Sequence, residues 1–133
     1  LEQRVIHQLI HALQKLSHVA NKSSHCPPYR QLQAKGAEII LIPAAFTAIT
    51  GKAHWEVLVR ARAIENQCYV IAAAQGGYHA NGRESYGDSM IVDPWGSVLD
   101  RLTKGSGVVI ADVDMTKLRN LRQSFPSLQH IKD

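Results

Sequence analysis

Apolar positions along the chain fall into two regimes. Over residues 1–19, Val5, Leu9, Ala12, Leu16 and Val19 recur every three or four positions, the spacing that lines one stripe of a helix. Asn21 to Pro28 breaks that period with polar residues and a double proline, which predicts a linker or turn. From Tyr29 the pattern changes. A short helix is expected over 29–35, stopped at Gly36. Residues 38–43 (EIILIP) form a nearly continuous branched run, as in a strand covered on both faces. Helical spacing returns over 53–66, with Trp55, Leu58, Val59 and Ala63 toward one side. Residues 68–74 (CYVIAAA) predict a second buried strand. Residues 89–92 and 98–102 flank the turn tetrad Asp93-Pro94-Trp95-Gly96 and so predict a hairpin. A further strand is expected over 107–113 and a last helix over 115–122, before Pro126. Helices set between apolar strands predict an α/β layered sheet.

Composition narrows the function classes. The chain has 133 residues, 45% of them hydrophobic and 20% charged, which is ordinary for one small globular domain. Its longest apolar run, Ile39 to Phe46, falls far short of the roughly 20 residues of a membrane span. Charged and polar residues interrupt the first positions from Glu2 onward, so no secretory leader is expected there. A net charge of +4 is mild, and the basic residues are scattered without a stripe of interleaved aromatics. Nucleic acid is therefore not an expected partner. Cys26 and Cys68 make neither a disulfide framework nor a CxxC pair, which fits a reducing, cytoplasmic setting. His7 and His11 lie four apart on one helical face, but Gln8 stands where an HExxH zinc motif needs glutamate. They read as solvated histidines. Neither a metal nor a cofactor is expected, and Gly105-Ser106-Gly107 is too short for a phosphate loop.

Three long segments and a short one then carry a resemblance. GAEIILIPAAFT (36–47), TGKAHWEVLVRARAIENQCYVIAAAQGG (50–77) and GRESYGDSMIVDPWGSVLDRL (82–102) resemble the C-terminal half of the nitrilase, or carbon–nitrogen hydrolase, family. The closing SFPSLQH (124–130) is similar to the branch that acts on small omega-amides such as deaminated glutathione. The resemblance implies two regions: residues 1–28, unrelated to the family, and a partial family domain over 29–133. It also implies the family fold, an α-β-β-α sandwich with strands from both halves of the chain, commonly assembled into oligomers.

The family's chemistry implies a cysteine thiolate that attacks an amide, a glutamate that moves protons, and a lysine that steadies the oxyanion. In the family all three come from the half up to and including the cysteine. The nucleophile opens a segment like CYDLRFPELYR, nine positions before the tyrosine matched by Tyr29, and that count lands here on Ala20. Cys26, three positions before Tyr29, has no apolar strand leading into it and is followed by Pro27, which has no N–H to offer an oxyanion. The chain is therefore expected to lack the catalytic set, with Cys26 as an alternative nucleophile. Cys68 reads as a small core residue.

The resemblance also places Phe46 and Thr47 in the substrate-pocket wall, against an alternative of plain loop packing. It places His54 and Trp55 at the start of a dimer-interface helix, where packing competes as the role of Trp55. Asp88 departs from the histidine common at its position. Arg62 and Glu65, three apart, read as an on-helix ion pair. A half-sandwich exposes sheet faces, and 500 Å² of apolar area forfeits on the order of 12 kcal/mol at ~25 cal/mol/Å². Self-association, or pairing with a full-length family member, would cover such faces.

Overall fold

Residues 27–130 are described by a computed structural model. The expected helix over 1–19, Ala20 and Cys26 all lie outside the described residues. Helix α1 (Pro27–Ala34) begins two residues before the expected start. A proline at the first helical position gives up an N–H that would have had no partner there. Gly36, at φ 94°, ends the turn, with the Ala37 N–H donating to the Leu32 carbonyl at 3.0 Å.

Strand β1 (Ile39–Ala44), helix α2 (Ala48–Asn66) and strand β2 (Tyr69–Ala74) form a β-α-β unit. The two strands pair in parallel from Ile39↔Tyr69 to Ala44↔Ala74. Glycine-rich residues then make a small hairpin, β3 (Gly76–Tyr78) with β4 (Glu84–Tyr86), and β5 (Ser89–Val92) returns antiparallel to β2. Strand β6 (Val98–Leu102) closes a four-stranded sheet of order β1-β2-β5-β6. Helix α3 (Met115–Ser124) is capped by the Asp114 carboxylate, which accepts from the Lys117 N–H at 2.9 Å.

Alternation along the strands sets the core. Ile40, Val70, Ala72, Met90 and Val92 are buried together with Trp55, Val59 and Ala63 of α2. Ile39 and Leu41, on the opposite face of β1, stay partly exposed. The described residues contain this four-stranded sheet, with α2 packed on one of its faces, and a separate two-stranded sheet of β3 and β4.

Two expectations require correction. Helix α2 starts at Ala48, five residues before the expected 53, and runs through Gly51. A Cβ at Gly51 would sit 2.3 Å from the Tyr86 Cβ, so this glycine lets β4 lie against the helix. Gly51→Ala is expected to destabilise by about 2 kcal/mol through overpacking, although alanine gains about 1 kcal/mol of helix propensity. Thermal unfolding of the two proteins measures the difference. Residues 107–113 form no strand, and among the described residues nothing pairs with them in a ladder. Val108 and Ile110 are exposed, and the Ile110 N–H donates to the Asp100 carboxylate at 2.7 Å instead of to a ladder.

The β5–β6 hairpin forms as expected, and its turn is built on one buried carboxylate. Asp93 Oδ1 accepts from the Trp95 and Ser97 N–H groups, both at 2.9 Å, and Oδ2 pairs with Lys117 Nζ at 3.0 Å. Burial pushes the Asp93 carboxyl up, but these hydrogen bonds outweigh it and hold the group below its ordinary value. A carboxylate lowered in the fold contributes stability above its unfolded value, about 3.9. That contribution is lost as pH falls through the folded value. Stability is therefore expected to drop below about pH 4, and Asp93→Asn to flatten that acid limb. Urea midpoints measured between pH 2 and 6 check this.

Candidate functional site

Parallel strands in an α/β layer bring their carboxyl ends to one rim, where loops are free to diverge and bind. Here that rim is made by Phe46 and Thr47 after β1, Gln75 to Tyr78 after β2, and the β4–β5 corner at Tyr86 to Ser89. Main-chain bonds knit it together. The Gln75 N–H donates to the Ala44 carbonyl at 2.9 Å, and the Tyr86 N–H to the Phe46 carbonyl at 2.9 Å. The Gly87 N–H reaches the Gln75 carbonyl at 3.2 Å, and Ser89 Oγ accepts from the Ala74 N–H at 3.0 Å. Gly76 and Gly87 cross where an added Cβ on Gly76 would lie 2.9 Å from the Gly87 Cα, so the crossing needs glycine.

The expected site residues divide between this rim and the core. The Phe46 ring, half-buried, tilts against Trp55 with centroids 5.3 Å apart, and Thr47 is exposed with its Oγ1 2.7 Å from Thr50 Oγ1. Thr47 also bridges to Ser85 of β4. His54 is exposed on α2. Trp55 is 2% exposed, and its Nε1 donates to the Asp88 carbonyl at 2.7 Å, so its side chain is occupied inside the chain. The Arg62–Glu65 ion pair is present.

Sequence reasoning missed two side-chain groups. Asp88 is buried in the left-handed region at φ 72° and binds Arg101 through two bonds of 2.5 and 2.7 Å. Arg101 also reaches Glu56 of α2 at 3.0 Å, and hydrogen bonding to Asp88 holds its guanidinium above its ordinary value. The β4–β5 corner is thereby fastened to the helix. The second group is His79, whose Nε2 lies 2.6 Å from Ser85 Oγ. In the sequence this hairpin shows as the turn signals Gly76-Gly77 and Asn81-Gly82, with no strand pattern between them.

Among the described residues, no nucleophilic set is assembled at the rim. Cys68 is fully buried at the other end of β2, about 20 Å of strand away at ~3.3 Å per residue. Burial pushes its thiol up, against an opposing pull from Arg122 Nη2 at 3.2 Å. Its reactive thiolate form is disfavoured. Ser85 is buried, and among the described residues no carboxylate bonds the His79 ring, so this pair is not a serine triad. No cluster of three metal-ligating side chains occurs among the described residues.

A β-α-β layer with loops gathered at its strand ends defines an α/β domain. Residues 28–123 match the model of the carbon–nitrogen hydrolase family, and the chain belongs to that family. It is 58% identical over 99 residues to the deaminated glutathione amidase of Homo sapiens, covering 74% of this chain and 30% of that one. With the deaminated glutathione amidase of Synechocystis it shares 52% over 102 residues, covering 77% and 38%. The C. elegans NitFhit structure superposes with a TM-score of 0.75 at 46% identity, covering 78% of this chain and 25% of that one. Saccharomyces cerevisiae Nit3, of the nitrilase superfamily, gives 0.68 at 31%, covering 74% and 36%. The chain thus spans about a third of the length of these amidases.

Proposed function

We propose that this chain supplies the substrate-wall half of an amidase that hydrolyses small non-peptide amides, and that the 133-residue chain alone is inactive. One observation carries the reading: among the described residues the rim holds Phe46 and Thr47 but gathers no set of thiol, carboxylate and amine, while 58% identity to an amidase covers that rim. The glutamate, lysine and cysteine would come from a polypeptide segment like the family's first half. Among the described residues no helix is long and apolar enough to cross a membrane, and a cytoplasmic setting with Cys68 reduced belongs to this reading. Incubating the purified chain with glutaramate, a five-carbon amide carrying a carboxylate, tests it. No ammonia release is expected. Release that disappears in Cys26→Ala would overturn the inactivity and make Cys26 the nucleophile.

A second reading, a non-catalytic subunit that pairs with a full-length homologue or with itself, is favoured by the outer side of α2. Ile49 is 86% and Val57 68% exposed, and exposed His54 lies between them. Apolar side chains bared along one helix suit a protein partner. Val57→Glu is expected to shift the chain toward monomer in light-scattering chromatography, and an unchanged mass argues against pairing through α2.

A further inference from the structure

The face of the four-stranded sheet turned away from α2 carries an apolar row of its own. Leu41 pairs with Ile71, Ile71 with Ile91 and Ile91 with Asp100, so these four lie side by side on that face. Residues 107–114 cross it. The Ile110 N–H donates to the Asp100 carboxylate at 2.7 Å, and the Asp114 N–H donates to Tyr69 Oη at 3.1 Å, Tyr69 being paired with Ile39. Ile91 is 7% exposed, but Leu41 and Leu99 keep 38% and 41%, and Val108 and Ile110 project outward at 79% and 76%. An apolar face of this kind suits a docked element.

Charge sets the same face apart. Asp100, Asp112 and Asp114 all lie along it and are in no ion pair among the described residues, whereas every other acidic side chain there faces a base. Residues 1–19 have the complementary pattern. On a helix Val5, Leu9, Ala12, Leu16 and Val19 make one apolar stripe. Arg4 and Lys15, eleven positions or about three turns apart, then fall along one flank of that stripe, about 16 Å from each other. Helix α2, whose outer side also bares apolar side chains, carries Lys52, Arg60 and Arg62 against Glu56 and Glu65. A basic segment gains no charge attraction there.

We propose that residues 1–19 dock as an amphipathic helix on this outer face, with the apolar stripe over Leu41, Leu99, Val108 and Ile110 and the basic flank toward Asp100 and Asp112. The dimensions agree. Nineteen helical residues span about 28 Å, and the four strands about 14 Å at ~4.8 Å between neighbours. Helix α1 lies on the α2 side, where Tyr29 packs against the core, and β1 is the edge strand to be passed. Eight residue steps from Val19 to Pro27 reach up to about 26 Å, against roughly 20 Å for two layer spacings. The inference stands apart from the amidase reading and adds one consequence to it: a partner half whose sheet packs on this face must displace the helix.

The test uses the full 133-residue chain. A benzoylphenylalanine photoprobe is placed at Leu9, on the stripe, or at Gln14, on the opposite side, and its adducts are mapped by mass spectrometry. From position 9, adducts within the same chain to residues 39–43 or 98–113 are expected, and from position 14 their loss. Adducts to α2, adducts only between two chains, equal adducts from both positions, or none overturn the proposal. Val108→Lys, at an exposed site outside the core, is expected to lower the yield from position 9, and an unchanged yield overturns the placement. A further measurement is free of the probe. Leu9→Glu combined with Leu16→Glu is expected to raise binding of anilinonaphthalene sulfonate at least about twofold by baring the face, with the near-UV circular dichroism of the buried aromatics unchanged. Dye binding equal to that of the parent chain contradicts a docked helix.

Discussion

Trp55→Ala is expected to destabilise the fold by about 4 kcal/mol, the typical cost of emptying a large aromatic site in a core. The indole packs with Val59, Ala63 and the inner face of the sheet, and it backs the Phe46 ring at the rim. Its Nε1 also satisfies the Asp88 carbonyl, which alanine leaves unpaired in a buried corner. Trp55→Phe keeps much of the ring surface but not the hydrogen bond, so about half that loss is expected. Denaturant unfolding of both variants separates packing from hydrogen bonding. A loss below about 1 kcal/mol for the alanine variant would mean that the corner does not depend on the indole. The site would feel the change as well, because Phe46 loses the surface that fixes its tilt.

Asp88→Ala is expected to cost about 3 kcal/mol, at the lower end for breaking a buried ion pair. Three features set that figure. Asp88 is 2% exposed and holds Arg101 through two bonds, so its removal strips the guanidinium of its main partner. Arg101 is itself about one-third exposed and keeps Glu56, which softens the loss. At φ 72° an alanine also pays about 1 kcal/mol of backbone strain that aspartate and asparagine tolerate better. Asp88→Asn is therefore expected to fall between the two proteins. A double-mutant cycle with Arg101→Leu isolates the pair, and a coupling near zero would contradict the fastening role given to it.

How far the sequence carried this account depends on where each signal lies. Strands β1 and β2 were legible because branched apolar runs have few alternatives. The β5–β6 hairpin was legible because aspartate, proline and glycine fill a turn whose N–H groups Asp93 accepts. Residues 107–113 carry similar apolar alternation, yet a strand exists only beside another strand, and no pattern within seven residues reports a neighbour. The start of α2 was hidden by Gly51, whose reason is Tyr86, thirty-five positions away. Gly-Gly-Tyr has no apolar alternation, so β3 escaped, and with it the meeting of His79 and Ser85. Phe46 and Thr47 entered only through a family resemblance, since nothing in their own chemistry marks a pocket wall. Asp88 stood out as a departure from that family's pattern, while its partner Arg101 became visible only when β6 was laid beside β5.

The most direct test of the central claim is to co-express the 133-residue chain with the first half of the Synechocystis deaminated glutathione amidase and measure ammonia released from glutaramate. Release by the pair, and by neither part alone, is the predicted result. A stable complex of the two that releases no ammonia, or activity from this chain by itself, would contradict the assignment of these residues as the substrate-wall half of an amidase.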